Sequence, residues 1–372
     1  MARGGSSVDR GPLGAGDVAA AALIAVAVAT MPRSCDDDPE PPAPSGPATT
    51  KDGRLGRLDL ALQRHPATSL PVAVLRKFGD DRAGRLAALI AYYGFFSVFP
   101  AMLALVTVLG FVLERNPGLR ADIAGSALAQ FPIVGDSIAA TVSTPLAGNP
   151  VALAVGLFGA VWAGMGTVQA CQDAMNEVWA VERADYPGFV GKRVRSVAML
   201  ILLGLMLVVS TGVTQLIQIL DAGALTAVAL FAVSLVLDVA LFAVAYRILT
   251  VADVGWRTVF AGALFAGAGY VILQYGGGLY VDRTISGASE TYGTFAVVIG
   301  MLSWIFLIAQ VLMLGAELNT VVAQRMWPRS LFGQPATAGD RRSHAAQATS
   351  QRMDEAMDVD VEFAPVDSNR TG

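Results

Sequence analysis

GTFAVVIGMLSWIFLIAQVLMLGAELN, residues 293–319, contains one charged residue, Glu317, near its very end. About 20 apolar residues suffice for a helix to cross a bilayer core of roughly 30 Å. Helix is required there, because a backbone amide surrounded by hydrocarbon must find its hydrogen-bond partner within its own segment. Five further stretches read the same way, at approximately 86–113, 150–171, 196–220, 224–246 and 258–280, and none of the six holds Lys or Arg. The runs are continuous, whereas a membrane barrel would show short alternating segments. The expected fold class is all-α: a polytopic membrane protein whose domain, 86–327, carries six transmembrane helices. The third and fourth are joined by a tight turn at Asp221.

Composition agrees. Of 372 residues, 54% are apolar and 15% charged, against about 25% charged in an ordinary soluble domain. The formal charge of −4 arises at the ends, from the acidic DDDPE at 36–40 and the acidic last twenty residues, and it hides a basic remainder. Counted on alternate sides of the spans, one side receives sixteen Lys and Arg and the other three. By the positive-inside rule both termini are expected in the cytoplasm, with anionic lipids at that face as partners.

The flanks read differently. Residues 1–54 are expected to be a disordered Ala/Pro-rich extension, although the apolar run Val18–Met31 leaves a signal sequence or a seventh span open. Residues 55–85 form a juxtamembrane segment. Leu58, Leu62, Leu70, Val74, Leu75 and Phe78 fall at helical spacing, which reads either as an amphipathic helix over 55–82, with Ser69 before Pro71 as a helix start, or as a solvated leader to the first span. The helix would lie along the cytoplasmic surface with Arg76, Lys77 and Arg82 toward lipid phosphates. Residues 328–372 are expected to be a disordered acidic tail.

Candidate functional residues are the polar groups that lipid should have excluded. The first span holds Tyr92, Tyr93 and Ser97 before Pro100. Either a proline kink exposes hydrated backbone there, or these residues simply pack. Asp238 lies well inside the fourth span, where an unpaired carboxylate costs about 3 kcal/mol. It reads either as a proton- or cation-linked site or as a group that cements helices. Glu317 and Asn319 close the sixth span, and GGG at 276–278 reads as a hinge or a helix stop. Gly156, Ala160 and Gly164 form a small-residue stripe, as do Gly262, Ala266 and Gly267.

Other chemistries lack their residues. The two histidines, His65 and His344, lie outside the spans, and Cys35 and Cys171 make no metal pattern. There is no GxxxxGK[ST] and no GxSxG. No catalytic residue, metal, cofactor or nucleic-acid partner is expected, and the chain is read as a non-enzyme.

AALIAYYGFFSVFP at 87–100, NEVWAV at 176–181 and ETYGTFAVVIGMLSWIFLIAQVLMLGAELN at 290–319 resemble the signatures of the YihY/BrkB family of bacterial inner-membrane proteins. The resemblance spans about 68–327. It implies a six-helix protein of the bacterial cell membrane and marks Ala91, Tyr92, Ser97, Pro100, Asn176, Trp179, Tyr292, Gly293, Trp304, Gly315, Glu317 and Asn319 as motif residues. The family's older label, ribonuclease BN, would need clustered His and Asp ligands that this sequence lacks. A secondary permease or a lipid or solute translocator is the leading expectation. The alternative is a membrane scaffold for envelope or cell-wall machinery, docking membrane-protein partners or further copies of itself through 55–82 and the tail.

Overall fold

The structure, a computed structural model, describes residues 59, 62, 63, 65–113, 150–219, 224–292, 294–330, 337–354 and 357–363. The extension 1–54, the turn at Asp221 and Gly293 lie outside them. Among the described residues every regular element is helical. In chain order they are α1 (Pro66–Asp80), α2 (Ala83–Leu113), α3 (Pro150–Val178), a 3-10 turn (Arg183–Asp185), α4 (Phe189–Ile219), α5 (Ala224–Leu249), α6 (Trp256–Tyr292), α7 (Thr294–Ala323) and α8 (Ala338–Thr349).

Among the described residues five helices are long and apolar enough to cross a membrane, over Ala83–Ala104, Ala154–Val178, Phe231–Leu249, Trp256–Gln274 and Val298–Ala323. The third expected span falls within α4, which opens with Lys192, Arg193 and Arg195 and whose side chains are described only as far as Met206. The structure thus supports five spans of the six expected. The fifth span is expected to end near residue 280, but α6 continues through the three glycines to Tyr292, so GGG does not stop the helix. Glycine lowers helix propensity by about 1 kcal/mol without breaking the hydrogen-bond ladder.

Small residues let the helices approach closely. A Cβ on Gly156 would lie 2.8 Å from the Ala104 backbone nitrogen, and one on Gly159 would lie 3.0 Å from Pro100. α2 is assigned as continuous helix through Pro100. The proline ring fills the space over Gly159, which favours the packing reading of this segment. Gly164 meets Leu200 of α4 instead, so the predicted stripe on α3 serves two neighbours. On α6, Gly262 and Ala266 face Gly315 of α7, whereas Gly267 faces Val239 of α5.

Two expectations about the flanks are corrected. α1 begins at Pro66, and its apolar face, Leu70, Ala73 and Val74, packs on Leu318, Val321 and Met326 rather than on lipid. Lys77 is turned inward and only 3% exposed. The tail is ordered over α8, because a buried guanidinium organises it. Arg329 Nε donates to Asp340 Oδ1 at 2.9 Å, and its NH2 donates to Asp80 Oδ2 of α1 at 2.7 Å. Thr337 and Asp340 form a capping box at the start of α8. Gln347 donates to Asp81, and Arg352 pairs with Glu182 in the loop after α3.

Burial pushes the Asp340 carboxyl up, but hydrogen bonds from the Thr337 backbone, Arg329 and the Ser330 backbone outweigh it and hold its pKa below the ordinary 3.8. A depressed carboxyl stabilises the docked tail above that pH, and the contribution is lost as pH falls through the folded value. Asp340→Asn at neutral pH is expected to weaken tail docking by about 1–3 kcal/mol. Limited proteolysis at Arg341 and Arg342 checks this. Cleavage no faster than in the wild-type chain would refute it.

Candidate functional site

The polar motif residues converge where α1, α3 and α7 end together. Lys77 lies on the same stripe of α1 as Leu70, Ala73 and Val74, which carries its ammonium into the protein. Its Nζ donates to Asp81, to the Val178 carbonyl at 2.7 Å and to Glu317 Oε2 at 2.9 Å. All three ammonium protons are thereby used. Glu317 is fully buried. Burial disfavours the Lys77 ammonium, but the charges of Glu317 and Asp81 prevail and raise its pKa above the ordinary 10.5.

Neighbouring motif residues bind backbone. Asn176 Oδ1 accepts from the Val251 amide at 2.8 Å, tying α3 to the segment between α5 and α6. Asn319 Oδ1 accepts from the Gly262 amide at 2.7 Å, tying α7 to α6. Tyr246 Oη donates to the Leu312 carbonyl at 2.8 Å, and Arg195 donates to the carbonyls of Ile248 and Thr250. Trp179 is buried beside this tie, and its carbonyl lies 3.4 Å from Gln324 Nε2. This end of the bundle is a clamp: Lys77 and Arg195 satisfy the Val178, Ile248 and Thr250 carbonyls at the ends of α3 and α5, and Asn319 and Tyr246 reach backbone groups within α6 and α7.

Asp238 has a different setting. It is half-buried on α5, one turn before Phe242. Across from it on α6 stands Tyr270, which packs edge-on against Phe242 with ring centres 6.1 Å apart. Tyr270 hydrogen-bonds the Gln274 side chain and lies within electrostatic reach of Asp238. Among the described residues no Lys or Arg pairs with Asp238. The result is a polar seam within two spans, partly open at the bundle surface, able to offer a carboxylate, a phenol and an amide to a polar or cationic group.

The remaining candidates are dispersed. Ser97 Oγ donates to the Gly94 carbonyl of its own helix at 2.7 Å. Tyr92 and Tyr93 are 54% and 40% exposed, on a ridge with Phe96 and Phe99 that suits contact with lipid. Trp304 is half-buried on α7, and Tyr292 ends α6 with its side chain outside the described residues. Ser97, Asp238 and Glu317 thus hold separate partners. A cleft of about 510 Å³ lies between the loops after α3 and α5, with Glu182, Asp185 and Asp253 on its walls. Among the described residues no group of three His, Cys, Asp or Glu is placed to hold a metal.

Sequence reasoning missed Lys77 as the partner of Glu317 and Tyr270 as the neighbour of Asp238. The first carried a signal, a lysine on an apolar helical stripe. The second carried none, since tyrosine is common in membrane helices.

A family model described as Virulence factor BrkB matches residues 74–339. A UPF0761 membrane protein of Ralstonia nicotianae is 27% identical over 286 residues, covering 73% of this chain and 62% of its own. The inner membrane protein YhjD of Escherichia coli is 26% identical over 160 residues, 41% of this chain and 48% of its own. The chain therefore spans about three fifths and about half of these two relatives. No solved structure matches it.

Proposed function

The chain belongs to the Virulence factor BrkB family of membrane proteins, and from that premise we propose that it is a secondary permease or translocator moving a polar solute or a lipid head group. In this reading it sits in the bacterial inner membrane with both termini cytoplasmic, bathed by anionic lipid, and performs no enzymatic step. The observation that carries the proposal is the half-buried Asp238 inside a span, beside Tyr270 and Gln274 and with no Lys or Arg paired to it among the described residues. An intramembrane carboxylate is costly to insert, and a site for cargo or a coupling cation accounts for its presence. Glu317 belongs to the clamp rather than to the path, since Lys77 occupies it.

The scaffold alternative drew on the juxtamembrane segment and the tail as docking surfaces. These segments bind each other through Arg329, Asp80 and Asp340, which weakens that reading.

Purified protein in vesicles should move solute or labelled lipid, and Asp238→Asn should slow that movement about tenfold, the effect of losing one charge-assisted contact. The unfolding midpoint should be unchanged. Ser97→Ala should leave the rate within about twofold, since its hydroxyl serves its own helix. Folded Asp238→Asn protein working at the wild-type rate would remove the basis of the proposal.

A further inference from the structure

Most cations near the clamp are used inside the protein. Lys77 is held by Glu317 and Asp81, Lys192 by Asp173 at 2.6 Å, Arg195 by two carbonyls and Arg329 by Asp80 and Asp340. Arg193 is not. Its guanidinium carbon lies 4.5 Å from the ring centre of Phe189, one turn earlier on α4, and 5.1 Å from that of Trp162 on α3. No carboxylate or carbonyl accepts from it among the described residues. Phe158 stacks on Trp162 with ring centres 6.1 Å apart. Phe158, Trp162 and Phe189 are each more than half exposed.

We propose that Arg193, with the aromatic groove of Phe158 and Trp162, binds an anionic phospholipid, the phosphate on the guanidinium and an acyl chain along the rings. The rings attract the cation through their faces but supply no lone pairs to its five N–H donors. A phosphate supplies two acceptors at the spacing of the guanidinium fork and the opposite charge. Asp173, the nearest carboxylate on α3, is neutralised by Lys192 and does not repel the phosphate. A ligand charged at one end and greasy at the other matches a groove built the same way. This inference rests on the exposure of Phe158, Trp162 and Phe189 on α3 and α4 and is independent of Asp238.

The test uses the full chain in neutral detergent micelles doped with phosphatidylglycerol or phosphatidylcholine, with lipid retained per protein read by native mass spectrometry. The wild type should retain phosphatidylglycerol in preference, and Arg193→Gln should bind it about tenfold more weakly, the loss of one charged fork. Arg257→Gln, which removes an exposed cation elsewhere, should change nothing. Should Arg193→Gln not be recovered as a single monodisperse species, Arg193→Lys keeps the charge without the fork and should still lose about threefold. Undiminished retention by the Arg193 variants, equal loss in Arg257→Gln, or equal retention of phosphatidylcholine would overturn the proposal. Because lipid retention and transport are separate readouts on separate residues, failure here leaves the Asp238 reading to its own test.

Discussion

Lys77→Met is expected to destabilise the protein by about 3–5 kcal/mol, the usual consequence of removing one partner from a buried ion pair. Lys77 and Glu317 are 3% and 0% exposed as side chains, so water does not screen the loss. Glu317 would keep a charge with no donor from α1, and the Val178 carbonyl would lose its contact as well. Asp81 would fare better, because Gln347 still donates to it. Adding Glu317→Gln to Lys77→Met should restore most of the stability, since the lone charge is gone. Glu317→Gln alone should cost less than Lys77→Met, as Lys77 retains Asp81. Unfolding midpoints in detergent, with the double variant compared against both singles, decide the matter; an additive double variant would show that the two residues do not act as a pair. The pH dependence follows from the raised pKa of Lys77. Its contribution is complete below 10.5 and is lost only as pH rises through the higher folded value. The titration of Lys77 itself should therefore add no pH dependence to stability at neutral pH.

The second large effect is expected at the crossing of α6 and α7. A Cβ on Gly262 would lie 2.0 Å from the Gly315 carbonyl oxygen and 2.6 Å from the Asn319 amide, while one on Gly315 would lie 2.2 Å from Tyr246 Oη. The first obstacle is backbone, which has no rotamer to yield, so the helices must separate. Gly262→Ala should cost about 3 kcal/mol or more, the upper end for an overpacked core. It should also disrupt the hydrogen bond from the Gly262 amide to Asn319. Gly204→Ala on α4 is the control, since no atom lies within 4 Å of its added Cβ. That variant should be neutral or up to about 1 kcal/mol more stable. Equal midpoints for Gly262→Ala and Gly204→Ala would contradict the close approach.

Lys77 and Arg329 show where reading the chain falls short. By sequence, Lys77 belongs to the basic juxtamembrane segment and Arg329 follows the last span, so both read as cations of the membrane's basic side. Neither position reveals that Lys77 meets Glu317, 240 residues away, or that Arg329 meets Asp80, 249 residues away. Asn176 and Asn319 were legible as motif residues, yet their acceptor roles toward Val251 and Gly262 were not. Pro100 and Ser97 left a kinked, hydrated path and simple packing both open. Gly159 opposite the proline and the Gly94 carbonyl beneath the serine fit the packing reading.

The sequence by itself determined that this is a helical membrane protein of the BrkB type, because partition into lipid depends on the composition of each segment and helix on that segment's own amides. The tertiary structure alone decided which polar groups are tied and which stay available, because that depends on which helix faces meet across hundreds of residues. Glu317 meets a lysine and becomes part of a clamp, whereas Asp238 meets no cation among the described residues and stands beside Tyr270.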